Sequence, residues 1–138
     1  MIAHQATCVA IAGRGLLIEG APGSGKTSLA LALIDRGAEL VGDDGVLLER
    51  RGRRLIAHPH PATRGLIEIR NLGIVPMPAR DAVPLVLLIR LDPQAPRYIE
   101  APGLVERAGA ALPAVAIWPS PEPPTLKAEY ALRLFGLP

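Results

Sequence analysis

Apolar residues come along this chain in short runs, cut by glycine and proline, and most of the runs read as strands. Ala6 to Ala12 and Leu16 to Glu19 are two of them, separated by the turn signal Gly13-Arg14-Gly15. The period then changes. Between Lys26 and Asp35, Leu29 and Leu33, and Ala30 and Ile34, recur four apart, which predicts a helix ended by Gly37. Glu39 to Gly42 predicts a short strand. Val46 to Glu49 and Arg54 to Ala57 flank Arg51-Gly52-Arg53 as a hairpin. His58-Pro59-His60-Pro61 predicts a loop or a sheet edge, because two prolines remove ladder donors. Leu66 to Arg70 alternates apolar and charged residues, and Leu72 to Val75 is apolar. Leu85 to Leu91 is the strongest strand signal in the second half, followed by Ala114 to Trp118. Pro119 to Pro124 reads as irregular and Leu126 to Phe135 as an amphipathic helix. A short third helix is expected near Leu104 to Arg107. No repeat or linker interrupts this order, so residues 1–138 are expected to form one strand-dominated domain with no N-terminal domain before it.

Composition narrows the picture. The 138 residues are 49% hydrophobic and 20% charged, enough apolar surface for one core and too little charge for general disorder. Aromatics are 3%, so the core must be built from Ala, Leu, Ile and Val. The net charge of +2 rests on thirteen Arg against two Lys. Only Arg50, Arg51, Arg53 and Arg54 cluster, with no aromatic residue among them, which argues against a nucleic-acid interface. The single cysteine, Cys8, lies in an apolar run and reads as a buried free thiol, as suits a reducing compartment. No segment has the length of a membrane span or the layout of a secretory signal, and a cytoplasmic location is expected.

Chemistry enters at Gly20-Ala21-Pro22-Gly23-Ser24-Gly25-Lys26-Thr27, which fits the pattern G-x-x-x-x-G-K-[ST]. The stretch follows an apolar strand and opens a helix. Glycines there let consecutive backbone N–H groups curl around a phosphate, and the helix N-terminus adds partial positive charge. Lys26 can reach the β- and γ-phosphates, and Thr27 can place its hydroxyl on Mg²⁺. A turn that merely needed glycine would not also need Lys and then Thr. Asp43-Asp44 follows seventeen residues after Lys26, at the end of the next strand. Alternation sends the two side chains different ways, so one can take a proton while the other orients metal or loop. Asp-Asp-Gly45 is also good turn chemistry. Asp92, ending the Leu85 to Leu91 run, is a rival acidic position. His58 and His60 could share a face as metal ligands, but no further ligand is near and ordinary loop histidines are the better reading.

Together the phosphate loop, the stretch from Asp35 to Asp44, and Leu66-Ile67-Glu68-Ile69-Arg70-Asn71-Leu72-Gly73-Ile74-Val75 resemble the catalytic domain of the HPr kinase/phosphorylase family in its short form. The resemblance implies an α/β, P-loop kinase-like single domain, with a central, mostly β sheet, the P-loop helix and a C-terminal helix. It implies an ATP- and Mg²⁺-dependent serine kinase acting on the phosphocarrier HPr of a phosphotransferase system, assembled as a homo-oligomer, a hexamer in this family. Lys26 and Thr27 would hold phosphates and Mg²⁺. Asp44 would be the general base toward the serine, with Asp43 beside it, and Glu68 a second Mg²⁺ contact. Arg70 belongs to the catalytic signature, and Arg97 falls about where the family has a functional arginine.

The sequence departs from that pattern in places. The family's histidine before the first strand corresponds by counting to Gln5, and His4 takes the role only with a slip of one residue. The proline-rich stretch 119–124 lacks the arginine linked to phosphorolysis, so a kinase without the reverse reaction is expected. The chain stops soon after Phe135, so the family's C-terminal helices would be reduced. Trp118, Leu132 and Phe135 are expected to serve packing. Two rival readings remain: a P-loop small-molecule kinase or NTPase, with Arg50 to Arg54 in a lid, and an ATP-binding regulator with little catalysis.

Overall fold

A computed structural model describes all residues, Met1–Pro138. Eleven strands and two helices follow one another as β1 (Ile2–His4), β2 (Thr7–Ile11), β3 (Arg14–Gly20), α1 (Lys26–Asp35), β4 (Glu39–Gly42), β5 (Val46–Arg51), β6 (Arg54–Pro59), β7 (Leu66–Ile69), β8 (Gly73–Pro76), β9 (Val83–Leu91), β10 (Gly103–Arg107), β11 (Ala110–Ile117) and α2 (Thr125–Phe135). No helix is long and apolar enough to cross a membrane.

The long strand β9 organises the molecule. Its first residues pair antiparallel with β6, and its remainder lies parallel to β3 on one side and to β11 on the other. From β3 the sheet continues through β2 to the edge strand β4, and from β6 through β5 to β1. A strand paired on both sides has both faces to bury, which is why β9 reads as an almost unbroken apolar run.

Alternation along the central strands divides the core. Leu16 and Ile18 of β3 face α1 and α2, packing with Leu29, Leu33, Ile89 and Leu132. Leu17 between them faces the other way, against Val46, Leu48, Leu55 and Leu88, beneath the β5–β6 hairpin. Both helices thus cover one face and a second β layer covers the other. Cys8 is buried in that second cluster, where desolvation pushes its thiol pKa up and leaves it inert.

Two local expectations change, and one strand forms where none was expected. The stretch from Leu104 to Arg107 is not a helix but strand β10. It pairs with β11 across Ala108 and Gly109, both at positive φ (47° and 82°), the backbone twist of a tight hairpin turn. His58-Pro59 belongs to β6, since Pro59 sits at the strand's last position where a missing donor costs little. The first residues form β1, pairing His4 with Val46 of β5.

Candidate active site

The loop from Gly20 to Gly25 leaves the carboxyl end of β3 and enters α1, as its sequence requires. Gly25 caps the helix at φ 102° and Gly23 lies at φ 78°, left-handed conformations that glycine adopts without steric cost. Gly20 answers a different need. A Cβ there would stand 2.5 Å from the Ser24 hydroxyl oxygen and 3.1 Å from the Leu91 carbonyl oxygen. The hydroxyl of Ser24 is buried inside the loop with no hydrogen-bond partner. Lys26 folds back over the loop, its Nζ donating to the Gly20 carbonyl at 2.9 Å.

Facing the loop is a cavity of about 700 Å³, walled by residues 22–28, Gln5, Asp44 and the end of the β7–β8 hairpin at Glu68 and Arg70. The two aspartates lie in the bend after β4 and point different ways because Asp44 takes a left-handed backbone turn. Asp43 is buried and turned inward. Its Oδ1 accepts from the Thr27 hydroxyl at 2.8 Å and the Thr7 hydroxyl at 3.3 Å, and its Oδ2 accepts from the Glu68 amide at 3.2 Å. One carboxylate therefore joins α1, β2 and the β7–β8 hairpin, with charge-assisted bonds. Asp44 is exposed at φ 58°, a left-handed turn conformation that aspartate tolerates, and its side chain lines the cavity across from the loop. Arg70, in the same wall, forms no ion pair within the chain.

Not all expected site residues gather here. His4 turns away, its Nε2 2.6 Å from Glu19 Oε2. Gln5, one residue on, lines the cavity instead and donates to Asp44 Oδ1 at 3.4 Å. The physical reason is strand β1: pairing His4 with Val46 fixes which side chain faces which way. Arg97 is exposed in a separate groove beside Trp118 and α2, and does not line the cavity. Asp92 follows β9 beside the start of the loop, where it shares a separate pocket with Gly20 and Ala21 and accepts from the Gln94 amide at 2.8 Å, and it does not line the cavity. His58 approaches Glu49 at 2.8 Å while His60 accepts from the Ala62 amide, so the two imidazoles serve different local bonds.

Immediately before the loop, Glu19 is clamped. Arg107 donates to both its oxygens, at 3.0 and 2.7 Å, and His4 adds a third contact. Burial pushes the Glu19 carboxyl up, but the bonds from Arg107 and His4 outweigh it and hold the group below its ordinary value. Sequence reading missed this cluster because its members come from β1, β3 and β10, with Glu19 and Arg107 eighty-eight residues apart.

The arrangement fits a nucleoside triphosphate: glycine amides, an orphaned buried hydroxyl and a lysine rim one side of the cavity. No group of three or more His, Cys, Asp or Glu forms a ready-made metal cage. Magnesium of the kind held by one or two side chains plus phosphate oxygens suits this donor set, and Thr27 and Glu68 are the residues that could hold it.

A family model described as the HPr Serine kinase C-terminal domain matches residues 1–80, more than half of the chain and the whole lining of the cavity. The chain belongs to this family. Relatives include the HPr kinase/phosphorylase of Mycoplasma mycoides subsp. mycoides SC, 41% identical over 71 residues that cover 51% of this chain and 23% of that one. That of Clostridium tetani is 40% identical over 82 residues, covering 59% and 27%. The matches thus span about a quarter of these relatives' own length. Among solved structures, the Hpr(Ser) kinase/phosphatase from Coxiella burnetii superimposes with a TM-score of 0.85 at 26% identity, covering 96% of this chain and 89% of that one. The mixed α/β fold expected from the sequence is the family's fold.

Proposed function

We propose that this chain is a protein-serine kinase that transfers the γ-phosphoryl group of ATP to a serine of an HPr phosphocarrier. The observation that carries this reading is the position of Asp44, in the wall facing the phosphate loop, within one cavity shared with Lys26, Thr27 and Glu68. Asp44 accepts the serine hydroxyl proton. The serine Oγ–P bond forms as the bond from the γ-phosphorus to the β–γ bridging oxygen breaks, and ADP leaves. Positioning and electrostatics dominate such a transfer. The loop amides, Lys26 and Arg70 face the charge that spreads over the transferring group. The Thr27 hydroxyl and the Glu68 carboxylate would hold Mg²⁺ from the protein side, and its charge would offset part of that on the transferring group. Asp43 keeps Thr27 and the hairpin carrying Glu68 in register with each other. Its role is positioning, and the proton goes to Asp44.

The stretch 119–124 has no arginine, which supports a kinase without phosphorolysis. The family relationship supports a homo-oligomer, and the lack of a membrane-spanning helix and the buried thiol suit a cytoplasmic protein. Incubation with ATP, Mg²⁺ and candidate HPr proteins, read by intact mass, tests the reaction. Addition of one phosphoryl group to the acceptor is expected, with loss of that product in Asp44→Asn. An unmodified acceptor beside measurable ATP binding would favour the regulator reading, for which the turned-away His4 is the motive. Turnover of a metabolite with no protein acceptor would favour the small-molecule kinase.

A further inference from the structure

The chain has four aromatic residues, one Trp, two Tyr and one Phe. All four, Tyr98, Trp118, Tyr130 and Phe135, line a single groove of about 270 Å³ between the loop after β9, the end of β11 and α2. Trp118, expected to serve packing, is 45% exposed, and Tyr98 is 76% exposed. The Trp118 indole N–H donates to the Ala95 carbonyl at 2.5 Å, which fixes one wall of the groove.

Helix α2 has two apolar stripes. Ala128, Ala131 and Leu132 are buried against the sheet. Leu126, Tyr130 and Leu134, spaced four apart, face outward at 59%, 53% and 68% exposure. Nothing in the chain covers this second stripe, and large side chains concentrated at one exposed place mark an interaction site.

Charge identifies the occupant. The charged residues lining the groove are Arg97 and Lys127, with no acidic side chain among them. Lys127 Nζ lies 5.7 Å from the Trp118 ring centre, and the Arg133 guanidinium 4.9 Å from the Tyr130 ring centre. None of these three cations takes part in an ion pair. A second copy placed face to face on the groove would set each cation against its own equivalents, which disfavours a two-fold contact here.

We propose that this groove docks an amphipathic helical segment of a partner protein, with apolar anchors seated among Trp118, Tyr130 and Leu134 and acidic flanks meeting Arg97, Lys127 and Arg133. Aromatic and arginine side chains around a preformed groove are the composition from which binding hot spots are made, and a helix in a groove is a common docking mode. The groove shares no lining residue with the phosphate-loop cavity, so docking is independent of the phosphotransfer reading and leaves the nucleotide site open.

Trp118 is the sole tryptophan and reports directly on occupancy. The intact protein is titrated with a synthetic amphipathic helix carrying Leu on one face and Glu on the other, and with the same peptide carrying Lys for every Glu. The Glu peptide is expected to saturate, to shift Trp118 emission to shorter wavelength and to weaken as salt rises. The double variant Lys127→Glu, Arg133→Glu should bind it at least about tenfold more weakly and should bind the Lys peptide instead. If circular dichroism shows that the double variant does not fold, Lys127→Ala alone serves, with a several-fold loss expected. Equal binding of both peptides, no saturation by the Glu peptide, or sedimentation showing a dimer whose formation moves Trp118 would each overturn the proposal.

Discussion

Residues 1–80 and residues 81–138 build two unlike surfaces on one fold. The first part supplies the entire lining of the phosphate-loop cavity, thirteen residues of which two are hydrophobic. The second supplies β9, β10, β11 and α2, and a groove with eleven hydrophobic residues among fourteen. The family model matches the first part and stops there, while the shared backbone architecture extends over 96% of the chain. Phosphate chemistry needs particular atoms at particular places, so it holds residue identity. A strand such as β9 needs volume and alternation, which many combinations of Val, Leu and Ile supply.

The largest effects should come from the cavity and should leave the fold intact. Lys26→Ala or Asp44→Asn is expected to lower phosphotransfer by roughly 10²–10⁴-fold, with an unchanged melting temperature. A variant that lost activity only by unfolding would erase the distinction between the two parts.

Leu88→Ala should do the reverse. Leu88 is fully buried in the core beneath the β5–β6 hairpin. Its truncation should cost about 2–5 kcal/mol, read by urea denaturation, and lower activity only in proportion to the unfolded fraction. Asp43→Ala lies between the two regimes. It strands the Thr7 and Thr27 hydroxyls and the Glu68 amide, so a loss of about 1–3 kcal/mol should accompany weaker nucleotide binding.

Glu19 gives a smaller, pH-dependent effect. Its folded pKa is lowered, so its stabilisation is fully present above the unfolded value near 4.5 and is lost as pH falls through the folded one. Glu19→Gln should therefore flatten the acid limb of the melting temperature against pH. An unchanged acid limb would show that the clamp by Arg107 and His4 contributes nothing to stability. Least of all, removing the exposed Arg64–Asp81 pair should leave melting within experimental scatter, since surface ion pairs are screened by water and salt.

How much of this was legible along the chain depends on how local each cause is. The helix α1 starts and ends as its own residues dictate, and so does the phosphate loop. The side chains of Asp43 and Asp44 part in direction, as expected, but the two residues lie in the bend beyond β4 and it is the left-handed turn at Asp44 that separates them. Leu104 to Arg107 lacks a decisive period and forms β10 rather than the expected helix, and its pairing with β11 rests on the turn at Ala108-Gly109. Trp118, expected to serve packing, is half-exposed because hydrophobicity does not say which side of the sheet receives a cover.

By itself, then, the sequence determined the phosphate cup, the acidic pair and the family, because each resides in contiguous residues whose chemistry needs no distant partner. Only tertiary structure decided that Gln5 rather than His4 meets Asp44, that Arg97 stands outside the cavity, and that Glu19, His4 and Arg107 converge. The path of the loop after β9 places Arg97, and the other two outcomes depend on strand register, where a shift of one residue exchanges the two faces of a strand, a choice made by packing across the whole sheet.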